Sequence, residues 1–151
     1  MRKRSGTGED RGVDLRRIGN LANLSTPLGV VIARVGGARL RSGPHGLLLA
    51  EGFRYLPRVA GAMTIGNVVL TGGRFADLVR GLPQVLDHES RHASQWLQLG
   101  LLFLPAYLLG GAWSLLRTGD RAAGNPFERA AGLAEGGYRI VPTRPFLRGR
   151  R

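Results

Sequence analysis

The 151-residue chain contains no cysteine and a single lysine, Lys3. The lack of thiols excludes disulfide bonds and cysteine-ligated zinc sites, so histidine and carboxylate side chains remain as the strong metal ligands. Acidic residues are also scarce: 10 aspartates and glutamates stand against 22 lysines and arginines, which gives a formal net charge of +12. The positive charge is therefore almost entirely arginine.

Such an excess of arginine suits binding to nucleic acid or to an anionic membrane surface. The arginines are spread along the chain, however, and the sequence has neither a nucleic-acid-binding motif nor an aromatic platform for stacking bases. Nucleic acid is therefore not expected as a partner. We favour the simpler explanation, a composition rich in arginine, glycine and alanine of the kind that GC-rich bacterial genomes encode.

The motif His-Glu-x-x-His is formed by His88, Glu89 and His92. On a helix, residues four apart lie on the same face, so both imidazoles can bind one metal ion. Apolar residues recur with a helical period around the motif, which predicts a helix over residues 82–99 that ends at Gly100. The motif predicts a Zn²⁺ site in which Glu89 acts as general base on a metal-bound water.

A zinc hydrolase supplies three protein ligands and keeps one position open. Only Asp120, Glu128 and Glu135 follow the motif as carboxylates. Asn125 and Pro126 fit the N-cap and first position of a short helix whose third position is Glu128. We expect Glu128 to be the third ligand, with Glu135 in reserve; in the alternative, Glu128 only caps its own helix.

Two stretches of the sequence predict strands: residues 47–55, with a bulge or bend at Gly52, and the segment Ala62–Leu70, which is rich in β-branched residues. Within the second stretch, Gly66-Asn67 is either a hairpin turn or a bulge. Thr26 as N-cap predicts a helix that runs to Val35. These elements indicate an α+β fold, with one small antiparallel sheet packed on the motif helix and its partners.

The most apolar segment is Leu101–Leu116. It is shorter than the roughly 20 residues of a transmembrane helix, and Pro105 and Gly110-Gly111 interrupt it. We expect a buried core helix that packs antiparallel to the motif helix. In the alternative, the segment contacts a membrane through an exposed apolar face.

Composition divides the chain into a basic disordered tail (residues 1–18), a single domain (19–138) and a basic irregular tail (139–151). The third histidine, His45, lies in a turn without a partner at ligand spacing and is expected to be a turn residue. The apolar run Leu24–Val35 leads into arginine-rich sequence rather than a cleavage site, so it is not expected to be a signal peptide. We expect a cytoplasmic protein; in the alternative, it is also membrane-associated, through an exposed Leu101–Leu116.

The His-Glu-x-x-His motif is followed on the same helix by Gln95, then by an apolar helix with Tyr107 and by Asn125-Pro126-Phe127-Glu128. This order resembles the gluzincin zinc metallopeptidases, and more closely the small bacterial proteins described as minigluzincin-like. The resemblance covers about residues 44–138 and implies a zincin-like helical core.

The resemblance also implies a set of roles for the site residues. Zinc would be held by His88, His92 and Glu128, and Glu89 would be the general base in the hydrolysis of a peptide or protein substrate. The strand Ala62–Leu70 would resemble the edge strand along which such enzymes align an extended peptide.

Hydrolysis also needs a donor that stabilises the oxyanion. Tyr138, which follows the ligand helix, is expected ahead of Tyr107; in the alternative, both rings are simply packed. Four positions after Glu128, where gluzincins usually carry an acidic or amide residue that orients a histidine, this chain has Gly132. That difference predicts weaker hydrogen bonding around the ligands. Two rival functions remain: a non-catalytic zinc-binding protein, and a membrane-surface protein that binds anionic lipid.

Overall fold

The structure is a computed structural model that describes residues 7–56 and 61–144. Its helices are α1 Thr7–Ala22, α2 Ser25–Val35, α3 Phe75–Gly81, α4 Val85–Leu99, α5 Phe103–Thr118 and α6 Pro126–Ala131. Its strands are β1 Arg39–Ser42, β2 Leu48–Glu51, β3 Met63–Ile65 and β4 Val68–Thr71. Short 3-10 turns lie at Pro44–Gly46 and Gly100–Leu102. The predicted α+β class is confirmed.

The four strands form one sheet in the order β1-β2-β4-β3. The outer pairs are antiparallel, but β2 and β4 are parallel, with Leu48 opposite Val68. The sheet is therefore mixed, and the prediction of an antiparallel sheet is wrong. The strand predicted over residues 47–55 ends at Glu51, because the chain leaves the sheet at Gly52, where φ is 78°. The β3–β4 hairpin then places β4 between β3 and β2, in the same direction as β2.

The turn of this hairpin is Gly66-Asn67, as one of the two alternatives predicted. It packs so closely on α2 that a Cβ atom on Gly66 would lie 2.4 Å from the backbone nitrogen of Thr26. Thr26 is not the N-cap of α2, which begins at Ser25. Its hydroxyl instead accepts a hydrogen bond from the backbone N–H of Asn67, at 3.1 Å. The Thr26 side chain, which the sequence predicted to cap α2, therefore stabilises the hairpin turn instead.

The N-terminal region is not a disordered tail over residues 7–18, because α1 begins at Thr7. Two polar side chains of this helix are buried against the rest of the domain. Asn20 donates to the carbonyl of Ala93 at 2.8 Å, and Arg16 donates to the carbonyl of Ser90 at 3.1 Å. Both acceptors lie on α4, so α1 belongs to the domain and helps to fix the motif helix. Residues 1–6 lie outside the described part of the chain.

The core lies between the sheet and α4. Its centre is the indole of Trp96, which is 1% exposed and donates from Nε1 to the carbonyl of Thr64 at 2.8 Å. The interior of the sheet contributes fully buried aliphatic side chains from β4, among them Val68 and Leu70. This packing holds one face of α4 rigidly against β3 and turns the adjacent face of the helix towards α6.

Helix α5 runs back along α4. The Phe103 ring lies 5.0 Å from that of Trp96, and the Tyr107 ring lies 6.0 Å from that of His92, so the predicted antiparallel pair is confirmed. The chain reverses at Gly100, where α4 ends as predicted, with a φ of 55°.

The expectation that Leu101–Leu116 is a buried core helix is wrong. Only Phe103 and Ser114 are buried on α5, while most of its leucines are exposed. Only a narrow stripe of α5 contacts the rest of the domain. Within that stripe, Gly110 and Ser114 pack closely against the loop before α6. After Tyr138, residues 139–144 are irregular, as predicted, and residues 145–151 lie outside the described range.

Candidate metal centre

Three buried side chains converge between α4 and α6. The Nε2 atoms of His88 and His92 lie 3.0 Å apart, one helical turn from each other on α4. Oε2 of Glu128, from the first turn of α6, lies 3.2 Å from Nε2 of His88 and 3.4 Å from Nε2 of His92. These side chains are 1%, 6% and 1% exposed, respectively. The structure therefore brings together all three residues predicted as ligands, in a group that could hold a metal ion.

The spacing of the three atoms fits a metal ion. Ligands about 2.0–2.1 Å from a tetrahedral zinc ion lie roughly 3.3 Å from one another. Moreover, among the described residues, Oε2 of Glu128 is a buried oxygen without a hydrogen-bond partner. Such an atom is costly to bury unless something else binds it. A cation between the two imidazoles and this oxygen would supply the missing interaction.

The second nitrogen of each imidazole is bound to an oxygen acceptor. Nδ1 of His88 donates to the carbonyl of Gly132 at 2.8 Å, and Nδ1 of His92 donates to Oε1 of Gln95 at 2.8 Å. With the proton on Nδ1, the lone pair of each Nε2 is free for a metal ion. Gly132 has no side chain that could orient a histidine, but its backbone carbonyl accepts the hydrogen bond from Nδ1 of His88 instead. The predicted loss of hydrogen bonding at this position is therefore not found.

Gln95 also ties the histidine to α6. Its Nε2 donates to the carbonyl of Phe127 at 3.0 Å, while its Oε1 holds His92. Asn125 is the N-cap of α6, as predicted, and its Oδ1 accepts from the backbone N–H of Phe127 at 3.1 Å. Since Asn125 caps the helix, Glu128 is left to point at the histidines. The geometry favours its role as a ligand over the alternative of a cap.

Glu128 is held in its ionised form. Burial opposes the charge, but the neighbouring imidazoles of His88 and His92 outweigh it and lower the pKa of Glu128 to about 2. Tyr107 donates its hydroxyl to the other carboxylate oxygen, Oε1. Burial raises the pKa of Tyr107 above its usual value, so this hydroxyl stays protonated and remains a donor. An ionised carboxylate with one oxygen fixed and one unpaired is suited to binding a cation.

Glu89 lies beside this group, one residue after His88. It is 5% exposed, and its Oε2 accepts a hydrogen bond from the hydroxyl of Thr64 on β3 at 2.6 Å. Burial raises the pKa of Glu89 above its ordinary value, although His92 and Thr64 partly oppose the rise. A raised pKa makes this carboxylate a stronger base than an ordinary glutamate, which suits a group that accepts a proton.

The charge state of His92 responds to the same carboxylates. Burial alone would lower the pKa of His92, but Glu128 and Glu89 outweigh that effect and raise this pKa above its usual value. In the metal-free protein, a protonated His92 would offset the negative charge of Glu128. A metal ion would take over that compensation when it displaces the proton.

The segment after α6 covers His88. The ring of Tyr138 lies 5.9 Å from the His88 ring, and a Cβ atom on Gly136 would lie 2.5 Å from Cε1 of His88. Only glycine therefore fits at position 136 without displacing the imidazole or the segment. Burial raises the pKa of Tyr138, so its hydroxyl stays protonated. Of the two tyrosines expected near the site, Tyr138 is the one whose hydroxyl is not engaged with Glu128.

Two other candidates lie apart from the three ligands. His45 sits in a 3-10 turn, as predicted, and its Nε2 pairs with Oδ1 of Asp87 at 2.8 Å. Glu135, the reserve ligand, is partly exposed and lies 3.5 Å from the guanidinium of Arg91. Neither belongs to the buried group.

Strand β3 is an edge strand of the described sheet and lies next to the site. The carbonyl of Thr64, in the middle of this strand, already accepts the indole N–H of Trp96. A peptide aligned along β3, as the resemblance implies, would have to pair without this carbonyl.

Sequence reasoning missed Thr64 and the backbone of Gly132 and Gly136. A hydroxyl on a distant strand and a backbone carbonyl have no sequence signal, whereas the spacing of Gln95 from His92 was visible. No protein-family model, curated protein or solved structure matches the chain. The chemistry of the site therefore rests on its own geometry.

Proposed function

We propose that the protein is a zinc metallopeptidase of the gluzincin type, which hydrolyses bonds in a peptide or protein substrate. The observation that carries the proposal is the buried group of His88, His92 and Glu128 with a second carboxylate, Glu89, directly beside it. Two imidazoles, one carboxylate and one remaining position are the ligand set of catalytic zinc sites. Zinc is the proposed metal because its tetrahedral geometry fits the spacing of the three donor atoms.

Bound zinc would supply Lewis-acid activation of a water molecule and of the scissile carbonyl. Glu89 accepts the proton of the water and delivers it to the leaving amine, which its raised pKa favours. Thr64 fixes one carboxylate oxygen of Glu89 and leaves the other for the water. Tyr138 is the proposed donor to the oxyanion, since its protonated hydroxyl belongs to the segment that covers His88.

The test is a library of fluorogenic peptides offered to the zinc-loaded protein. Glu89→Gln preserves the size of the side chain but cannot accept the proton, so turnover should fall by about 10²–10⁴-fold while the zinc content stays the same. Glu135→Gln is the matched control, because it removes a carboxylate outside the buried group, and its turnover should equal that of the wild type. Full turnover in Glu89→Gln would contradict the proposed role.

One observation favours a second candidate, a non-catalytic zinc-binding protein with the same ligands. All three ligands are nearly inaccessible, and the segment through Gly136 and Tyr138 lies over His88. In that case the protein would bind one zinc ion tightly and hydrolyse no peptide in the library. A variant truncated after Tyr138 then tests whether the basic C-terminal residues block the site, because relief of such a block would restore hydrolysis.

We further propose a cytoplasmic location with peripheral membrane association. Taken together, Val85–Thr118 is a helical stretch of 34 residues that is long and apolar enough, by length and composition, to cross a membrane. Only 11% of its most apolar window is buried. Fractionation of cells into soluble and membrane fractions, with a carbonate wash, tests this location.

A further inference from the structure

The outer side of α5 exposes large apolar side chains to solvent. Leu102, Leu108, Leu109, Trp113 and Leu116 are each between 55% and 72% exposed. Exposed leucines are common singly, but a whole helix face of them is unusual for a domain that is surrounded by water. The inner stripe of α5 meets the domain, so the two sides of this helix face different environments.

A second row of exposed apolar residues lies along α2. Leu24, Leu28, Val31 and Val35 recur at helical spacing and are between 38% and 73% exposed. With the outer side of α5, these residues form what we call the apolar surface.

The two parts of the apolar surface meet where α1 joins α2 and where α4 joins α5. Asn23 donates to the carbonyl of Trp96 at 3.0 Å, and Gly19 packs against the side chain of Leu97. The end of α1, immediately before Leu24, thus lies against the end of α4, immediately before α5. The two rows therefore begin close to each other in the fold.

The segments that carry the apolar surface contain no acidic residue. The sequence has no aspartate or glutamate between Asp14 and Glu51, or between Glu89 and Asp120. Those segments contain α2, α5 and the second half of α1, and apart from histidine their charged side chains are all arginines. At the end of α5, the guanidinium of Arg117 lies 5.4 Å above the Trp113 ring. An indole and an arginine at the end of an apolar helix face are typical of the boundary between lipid tails and headgroups.

We propose that the apolar surface docks on a bilayer that contains anionic phospholipid, with α5 lying in the plane of the membrane interface. Leucine side chains would enter the acyl region, and the arginines would meet the phosphates of the headgroups. The proposal goes beyond hydrolysis and does not depend on the metal centre.

The geometry favours a docked helix over a transmembrane one. The stretch Val85–Thr118 is not one straight rod, because the chain reverses at Gly100. The 16 residues of α5 span about 24 Å, which is less than the roughly 30 Å of a hydrocarbon core. Its inner stripe also carries polar contacts, with Tyr107 bonded to Glu128 and Ser114 bonded to the carbonyl of Asp120. These groups stay in the protein if only the outer side of α5 enters the lipid.

The first experiment is co-sedimentation of the full chain with vesicles. Vesicles of phosphatidylcholine with phosphatidylglycerol should bind the protein at low salt, and pure phosphatidylcholine or high salt should weaken binding. The double variant Leu109→Ser/Leu116→Ser should lower the partition coefficient by about tenfold or more, because two leucines no longer enter the lipid. The matched control is Ile140→Ser, since Ile140 is 88% exposed but lies outside the apolar surface; its binding should equal that of the wild type.

The second experiment measures the depth of the helix. The chain has two tryptophans, and Trp96 is buried in the core while Trp113 belongs to the apolar surface. Lipids brominated at a shallow acyl position should quench the fluorescence of Trp113 more than lipids brominated near the bilayer centre. The Trp113→Phe variant should lose this quenching, which assigns the signal.

Three results would overturn the proposal. The first is no binding to anionic vesicles at low salt, and the second is unchanged binding in Leu109→Ser/Leu116→Ser. The third is a dimer in lipid-free buffer that this double variant dissociates, without any binding to vesicles, because a second copy of the chain would then cover the apolar surface. Circular dichroism and metal content equal to those of the wild type verify that the variants are folded.

Discussion

Replacing Glu128 with glutamine removes the charge of the proposed third metal ligand but keeps the size of its side chain. Because Asn125 caps α6, the substitution leaves the helix end intact. Glutamine can also accept the hydroxyl of Tyr107 as the carboxylate does. The metal-free variant should therefore fold, and the loss should appear in metal binding.

The size of the loss follows from the ligand set. Loss of a group that only orients a ligand typically costs about 10–100-fold in metal affinity, so loss of a direct ligand should cost at least about 100-fold. At a zinc concentration 100 times the wild-type Kd, zinc should stabilise the wild type by about 2.7 kcal/mol. A variant with 100-fold weaker binding should gain about 0.4 kcal/mol under the same conditions. In a domain of this size, these gains raise the Tm by roughly 5–11 °C and 1–2 °C, respectively.

The assay is thermal unfolding with and without zinc, together with competition against a chromophoric chelator. Glu135→Gln is the control and should keep the wild-type affinity and Tm shift, because Glu135 pairs with Arg91 outside the buried group. If Glu128→Gln bound zinc within about tenfold of the wild type, Glu128 would not be a ligand. The three-ligand site would then be refuted.

Three further predictions concern the neighbouring groups. Thr64→Val removes the hydroxyl that donates to Glu89 and should lower turnover by about tenfold or more, with unchanged zinc content. Thr64→Ser keeps a hydroxyl and should retain turnover. A serine variant as impaired as the valine variant would show that the loss does not come from the hydrogen bond. Glu128 and Glu89 raise the pKa of His92, so protons should begin to compete with zinc at a pH above the ordinary histidine pKa of about 6.5. The apparent zinc affinity should therefore fall as the pH is lowered, as measured by isothermal titration calorimetry. A constant affinity down to about pH 6.5 would contradict this prediction. Gly12 lies on α1 with open space around it, so Gly12→Ala should raise the free energy of unfolding by about 0.5–1 kcal/mol in urea titrations, whereas a disordered N-terminal segment would show no change.

The buried group of His88, His92 and Glu128 was predictable because its signals are local. The spacing of His88 and His92 fixes one helix face, and Asn125-Pro126 marks the start of the helix that carries Glu128. The sequence therefore predicts the pair of histidines, and it predicts the position of Glu128 within its own short helix. That the helices meet was only an expectation until the structure placed the three atoms together.

Other features depended on contacts that the sequence does not reveal. Residues 7–18 are charged and aperiodic, yet Arg16 and Asn20 bury polar groups against α4, which orders α1. The parallel pairing of β2 with β4 arises because the β3–β4 hairpin joins the sheet through its second strand, β4, and hydrophobic pattern alone does not set strand order. The composition of Leu101–Leu116 predicts a buried core helix, because hydrophobicity alone does not distinguish a segment that is buried in the protein from one with an exposed apolar face.

The central claim is that His88, His92 and Glu128 bind one metal ion. Elemental mass spectrometry of the untagged, purified protein tests it most directly, beside the double variant His88→Ala/His92→Ala. The account predicts about one zinc per chain in the wild type and none in the variant, with both proteins folded. No zinc in the wild type, even after zinc is added, or equal zinc in both proteins, would contradict it.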